Sequence, residues 1–248
     1  MIVDCHAHWG NPWTERDGEN PVNWLGLLDR HNVDKAILLG YDNLMRCDKA
    51  REDNDRIARV AAHAPDRLYP FGTVWPQTGA ESIREARHCI DDLGMKGLKF
   101  HPWVQGFSTA NSYFQEVCGM AGEAGVPVMF HDGTPCYSLP EQIAGLARRF
   151  PRTTFVLGHS GIIWAWRNAL EAMRQPNVWL CLCGPHQRAI EILCEEGDPD
   201  RLLWGSDIVG FGDPIEYRLN LVLRARVQEG VRQRLLGANP LRLLGIEA

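Results

Sequence analysis

The sequence predicts a (β/α)8 barrel that takes up the whole chain, 1–248, as a single domain. Three observations lead there. Short apolar runs alternate with amphipathic stretches from one end to the other, the runs number eight, and polar groups of catalytic type gather at the C-terminal ends of those runs. At 248 residues the chain has the size that eight strand–helix units require, with no room for a second full domain. The rival plan, an open doubly wound sheet, normally carries a Gly-rich phosphate turn after its first strand. Here that turn reads His6-Ala7-His8-Trp9-Gly10-Asn11-Pro12, which is not such a turn.

Each element follows from local pattern. The first strand begins at Ile2. A helix over 21–31 comes next, opened by Pro21, with Trp24, Leu27 and Leu28 at i, i+3, i+4. Lys35-Ala36-Ile37-Leu38-Leu39-Gly40 is a buried strand, and 48–64 is helical, with Ile57, Val60, Ala61 and Ala64 on one stripe and Pro65 ending it. The third strand spans 67–75 and its helix 79–93. The fourth spans 95–101, followed by a helix over 110–124 that Gly125 stops. Strand 126–131 leads to helix 139–150, strand 153–159 to helix 164–174, and strand 177–183 to helix 187–195. The eighth strand is 201–206, and helices over 214–229 and 231–244 close the chain.

Composition excludes several functions. The net charge is −5 and the 26 Lys and Arg residues are dispersed, which argues against nucleic acid as a partner. A mean hydropathy of −0.26 and the lack of any 18-residue apolar run argue against a membrane span. No charged and apolar leader precedes Ile2, so a cytoplasmic rather than secreted product is expected. The 8 cysteines fall mostly in apolar segments and read as reduced, buried small side chains. Cys181 and Cys183 share a strand face and can in principle hold a soft metal, but no second cysteine pair accompanies them.

In a parallel barrel the strands end together at one mouth, and chemistry collects there. Strand one contributes His6 and His8, whose side chains leave the same face about 6.6 Å apart along the strand, so both can converge on one ion. Strand four contributes Lys99 and His101, another i, i+2 pair. Strand five ends in His131-Asp132-Gly133-Thr134, strand six in Gly158-His159-Ser160-Gly161 and strand eight in Gly205-Ser206-Asp207. Any one of these has an ordinary reading as a cap or turn residue; their coincidence on a single face predicts a metal site. Trp9, Trp75 and Trp103 follow strands one, three and four and are placed to wall an apolar pocket above the ion, with core packing as the plainer alternative. Trp164 and Trp166 can do the same or belong to a subunit contact.

Six segments then carry a family resemblance: Asp4-Cys5-His6-Ala7-His8, Lys96-Gly97-Leu98-Lys99-Phe100-His101-Pro102, Met129-Phe130-His131-Asp132-Gly133-Thr134, Leu157-Gly158-His159-Ser160-Gly161, Trp204-Gly205-Ser206-Asp207 and Asn239-Pro240-Leu241-Arg242-Leu243-Leu244-Gly245. In this order and spacing the chain resembles the amidohydrolase superfamily. Within it, the likeness is to the amidohydrolase-2 group, which contains the metal-dependent decarboxylases related to aminocarboxymuconate-semialdehyde decarboxylase. The resemblance implies that His6, His8, His131 and Asp207 hold one divalent ion, with His159 beside it as acid, base or electrostatic stabiliser. Zn2+ is the first choice for three imidazoles and a carboxylate, with Mn2+ or Fe2+ as substitutes. Two-metal members use a carboxylated lysine on strand four; here His101 rather than Lys99 stands nearest the strand end, which implies one ion. Lys99, His101 and Arg188 are expected to meet the carboxylate of a small-molecule substrate, and a homo-oligomer fits the family.

Zinc brings the pKa of a bound water to about 7. Asp207 is expected to accept that water's proton and His159 to polarise a carbonyl or protonate a leaving group. The first expectation is therefore hydrolysis of an amide, ester or lactone in a small organic acid. The alternative is non-oxidative decarboxylation of a small aromatic or unsaturated acid, and a third reading is a non-catalytic metal-binding barrel.

Overall fold

Parallel strands covered on both faces are buried along their whole length, and so are these: every residue of β1 (Val3–Trp9), β4 (Gly97–Phe100), β5 (Val128–Phe130), β6 (Phe155–Leu157) and β7 (Val178–Cys181) is buried, most of them apolar, with Asp4, His6, His8 and Lys99 as the polar exceptions. With β2 (Lys35–Gly40), β3 (Leu68–Gly72) and β8 (Leu202–Leu203) they form one sheet of eight strands, all parallel and in sequence order. The computed structural model describes residues 1–9, 19–208 and 213–246. The turn after the first strand, from Gly10 onward, lies outside them. The barrel closes between β8 and β1, where Cys5 N–H donates to Trp204 O, His8 N–H donates to Ile208 O (both 2.9 Å) and Ala7 pairs with Ile208.

Around the sheet run α1 (Val22–Arg30), α2 (Asp42–Met45), α3 (Ala50–Ala62), α4 (Ala80–Arg87), α5 (Pro102–Gln105), α6 (Ser112–Ala124), α7 (Pro140–Arg149), α8 (Trp166–Ala172), α9 (Gln187–Glu196), α10 (Ile215–Leu223), α11 (Glu229–Gln233) and α12 (Asn239–Leu244). Side-chain alternation divides the apolar residues into two layers. Val3, Cys5, Ile37, Phe71, Met129 and Val156 fill the barrel, while Leu38, Leu98, Phe100, Phe130, Leu157 and Leu180 face the helices. Among the described residues no helix is long and apolar enough to cross a membrane. All eight cysteines are free, and only Cys47 and Cys136 are exposed.

The differences from the sequence reading have local causes. Strands are shorter than expected because their last residues leave the ladder to turn into the mouth; His101 and His131 directly follow the final paired residue of their strands, and His159 stands two beyond that of β6. The expected helices 79–93 and 231–244 both pass through a widened turn, at His88–Asp92 and Arg234–Ala238. The single-turn α2 and α5 sit in loops too short for periodicity to register. Pro102 opens α5, and His101 Nδ1 caps it by accepting Val104 N–H at 3.4 Å.

Candidate metal centre

Between Asp4 and Ala7, β1 spends three residue steps against two on β2, a bulge that re-aims the strand just before its histidines. His6 Nδ1 stands 2.9 Å from Gly158 O and His8 Nδ1 3.3 Å from Gly40 O. A carbonyl only accepts, so in each ring Nδ1 carries the hydrogen and Nε2 keeps its lone pair. Those two lone pairs converge on Asp207: His6 Nε2 is 3.4 Å and His8 Nε2 3.6 Å from its Oδ1. Nitrogen and oxygen ligands each about 2.0–2.2 Å from a tetrahedral ion stand at roughly this spacing from one another. Asp207 reaches the point through a left-handed backbone, φ 56°, which its N–H secures by donating to His6 O at 2.7 Å.

Electrostatics suit the donor set. Burial pushes His6 far below the ordinary histidine value and His8 down to about 3, with the Lys99 charge adding to both. Both rings are therefore neutral at pH 7. Burial raises the Asp207 carboxyl to about 6, against the pull of Lys99. Lys99 is itself fully buried, and its Nζ lies 2.9 Å from His6 Nε2. That is its one side-chain hydrogen bond among the described residues, and burial lowers it to about 8. Two neutral imidazoles and a carboxylate around one point, next to a buried ammonium, form a cation site flanked by an anion site.

Further histidines continue outward from this trio. His159 packs 4.6 Å from the His6 ring, with Nδ1 3.9 Å from Asp207 Oδ2. His131 meets His159 edge-on at 4.2 Å and stacks flat on His101, 3.8 Å away at 10°. Burial again dominates, lowering His131 to about 2 and His101 to about 3. Two carboxylates hold the frame. Asp4 Oδ1 accepts His6 N–H at 3.0 Å and Ser206 N–H at 2.9 Å, tying β1 to the segment after β8. Asp132 accepts His159 N–H at 2.6 Å and Gly161 N–H at 2.5 Å, fixing the loop after β6. Gly158 is required by contact: a Cβ there would stand 2.4 Å from Phe130 O and 2.9 Å from His6 Cε1.

The amidohydrolase family model matches residues 3–246, essentially the whole barrel and every motif at its mouth. This chain belongs to the amidohydrolase family. It is 23% identical to 2-keto-4-carboxy-3-hexenedioate hydratase of Sphingobium sp., over 85% of this chain and 84% of that one. Among solved structures it resembles 5-carboxyvanillate decarboxylase from Sphingomonas paucimobilis, with a TM-score of 0.79, 18% identity and coverage of 100% and 99% of the two chains. It also resembles a dihydroxybenzoic acid decarboxylase from Polaromonas sp. with bound manganese and 2-nitroresorcinol, at a TM-score of 0.75, 16% identity and coverage of 98% and 96%.

Of the four residues expected to hold the ion in this member of the family, the geometry gathers His6, His8 and Asp207, whose ligand atoms lie within 4.8 Å of one another. His131 stands one ring farther out, linked through His159. Lys99 and His159 border the trio, and His101 lies over His131. Trp103 is 57% exposed at the rim, 6.1 Å from the His101 ring. Trp9 and Arg188 are not brought in. Trp9 adjoins His8 on a strand and so faces the opposite way, buried edge-on against Trp24 in the outer layer. Arg188 lies along α9, exposed, and pairs with Glu191 at 2.9 Å. Trp75 donates its indole N–H to Asn43 O at 2.7 Å. From sequence, Asp4 and Asp132 have no assigned role, and Cys183 only that of a candidate soft-metal partner of Cys181; its sulfur lies against the His6 and His159 rings. A carboxylate placed inside an apolar strand, as Asp4 is, was the available signal, because such a group is buried only with partners.

Proposed function

We propose that this member of the amidohydrolase family is a metal-dependent lyase that decarboxylates a small, flat carboxylic acid. The observation that carries the reading is Lys99: a buried ammonium with no carboxylate partner among the described residues, beside an ion-binding trio. A site that bears the cost of burying such a charge has a use for it, and an anionic substrate group is the natural partner. Hydrolysis, the first expectation from sequence, needs the same donors. The names of the similar proteins, two decarboxylases and a hydratase, support the lyase alternative instead.

His6 Nε2, His8 Nε2 and Asp207 would hold the ion, with His131 able to join them if its ring turns toward the trio. Bound there, a divalent ion such as manganese or zinc would polarise the substrate's oxygens and draw charge from its conjugated system. Lys99, itself buried, pairs with the substrate carboxylate where the attraction is less screened than in water. Decarboxylation replaces a carbon–carboxylate bond with a carbon–hydrogen bond, so one proton must reach carbon as carbon dioxide departs. Asp207, which borders the ion site and whose carboxyl is raised by burial, would carry that proton. The parallel rings of His101 and His131, with Trp103 above, offer flat surfaces to a planar acid. A second reading, addition of water across a conjugated double bond, is favoured by the hydratase relative that aligns over 85% of the chain.

The test is product analysis with manganese- and zinc-loaded enzyme on hydroxybenzoates, unsaturated dicarboxylic acids and sugar lactones. Release of carbon dioxide from an acid, lost on chelation, is the expected result. Turnover confined to lactone opening would overturn the proposal, and water uptake by a dienoic acid without carbon dioxide would replace it with the second reading.

A further inference from the structure

Where β6 and β7 end side by side, the fully buried Cys183 neighbours the Cys181 thiol and makes three further contacts: its Sγ lies 2.8 Å from Gly158 O, 3.2 Å from His159 Nδ1 and 3.7 Å from His6 Nδ1. The first decides the others. A sulfur and a carbonyl oxygen at 2.8 Å repel unless a hydrogen lies between them, so the thiol donates to Gly158 O. The same carbonyl also accepts His6 Nδ1–H, which settles that ring's tautomer independently. With its hydrogen committed, the sulfur presents only lone pairs to His159. An approach of 3.2 Å is then attractive only if His159 Nδ1 carries the hydrogen. His159 Nε2 is left as the unprotonated nitrogen, buried and with no hydrogen-bond partner among the described residues.

We propose that Cys183 is a positioning residue that fixes His159 as its Nδ1–H tautomer, so that Nε2 serves the site as an acceptor. The contacts distinguish among the roles that the sequence left open for His159. An acceptor nitrogen receives a hydrogen, such as that of a hydroxyl on the substrate, rather than delivering one from a neutral ring. Asp207 Oδ2, 3.9 Å from Nδ1, is beyond hydrogen-bond reach and attracts the hydrogen to the same nitrogen only through its charge. Cys183 supplies the directional contact. What Nε2 acts upon rests on the lyase reading; the tautomer does not.

The experiment is long-range 1H–15N correlation spectroscopy of the imidazoles in the zinc-loaded protein, for wild type, Cys183→Val and Cys183→Ser. Wild type is expected to show a protonated-type Nδ1 and a bare-type Nε2 for His159. Valine, close in shape but without donor or acceptor, is expected to give averaged or reversed nitrogen shifts. Serine, which can donate to Gly158 O and accept from His159, is expected to keep the wild-type pattern. On a turned-over substrate, valine should lower kcat about tenfold or more with KM within about twofold, and serine should recover most of it. A bare-type Nδ1 in wild type, or an unchanged tautomer in the valine variant, would overturn the proposal. Should valine not fold, Cys183→Ala carries the same two outcomes. The spectra need no turnover, so they stand apart from whether the reaction is decarboxylation.

Discussion

Replacing Lys99 with methionine should stabilise the ion-free protein while abolishing its activity. The ammonium is 1% exposed and its pKa falls from 10.5 to about 8, chiefly through burial. At 1.36 kcal/mol per pH unit, that drop corresponds to a folding cost on the order of 3 kcal/mol at pH 7. Methionine fills a similar volume without charge, and it forfeits one hydrogen bond to His6, worth about 1 kcal/mol. The net gain is about 2 kcal/mol, or a rise in Tm of roughly 4–8 °C for a chain of this size. The pH dependence has a definite sign. Below pH 8 the lysine is charged in both states and the folded state bears the full cost; between 8 and 10.5 the folded group loses its proton first, and the cost fades. Calorimetry of chelator-treated wild type and Lys99→Met at pH 7 and pH 9.5 should show a gap that falls by about 2 kcal/mol and so nearly closes. Catalysis should fall by at least about 100-fold in kcat/KM, the loss of a charged pair with the substrate. A methionine variant that melts below wild type at pH 7, or a gap indifferent to pH, would refute the claim that Lys99 is retained against stability for the sake of an anion.

Three further outcomes are expected. Divalent-ion affinity, measured by titration calorimetry, should weaken as pH falls below about 6, because protons compete for Asp207 while His8, lowered to about 3, stays neutral; constant affinity from pH 7 to 5 would contradict this. Gly158→Ala should cost about 1–3 kcal/mol by overpacking and lower ion affinity about 10–100-fold by displacing His6, so wild-type affinity in a folded variant would show that the contact yields easily. Arg188→Ala should leave kcat/KM within about twofold and stability within about 0.5 kcal/mol, since Arg188 is itself exposed and its buried partner Glu191 keeps the backbone N–H and guanidinium of Arg226; a large rise in KM would return Arg188 to the site.

Much of the barrel was legible because burial on both faces leaves a plain trace, an apolar run between turn residues, and the eight runs survive as eight strands. The convergence of His6, His8 and Asp207 was legible for the same reason: strand ends in a parallel barrel share one mouth. Period-two alternation also contained the answer for Trp9, which sits next to His8 and so faces the other side. The small helices α2 and α5 were not legible, being one turn long. Nor were the roles of Asp4, Asp132 and Cys183, because each acts on a backbone or ring brought close only by folding: Ser206 lies 202 residues from Asp4, and His159 lies 27 from Asp132. Lys99 was visible as a strand-end cation, but its solitude is a property of the packed site.

The seam between β1 and β8 gives the ion a second meaning. Asp207 obtains its left-handed bend from the carbonyl of His6, and His8 bonds across to Ile208, so the coordinating groups exist as a set only once the cylinder has been sewn shut. Contacts spanning this much of the chain form late, after the loop entropy has been overcome. Ion uptake during refolding should therefore lag behind helix formation and keep time with closure, making a bound metal a clock for the last stitch of the barrel.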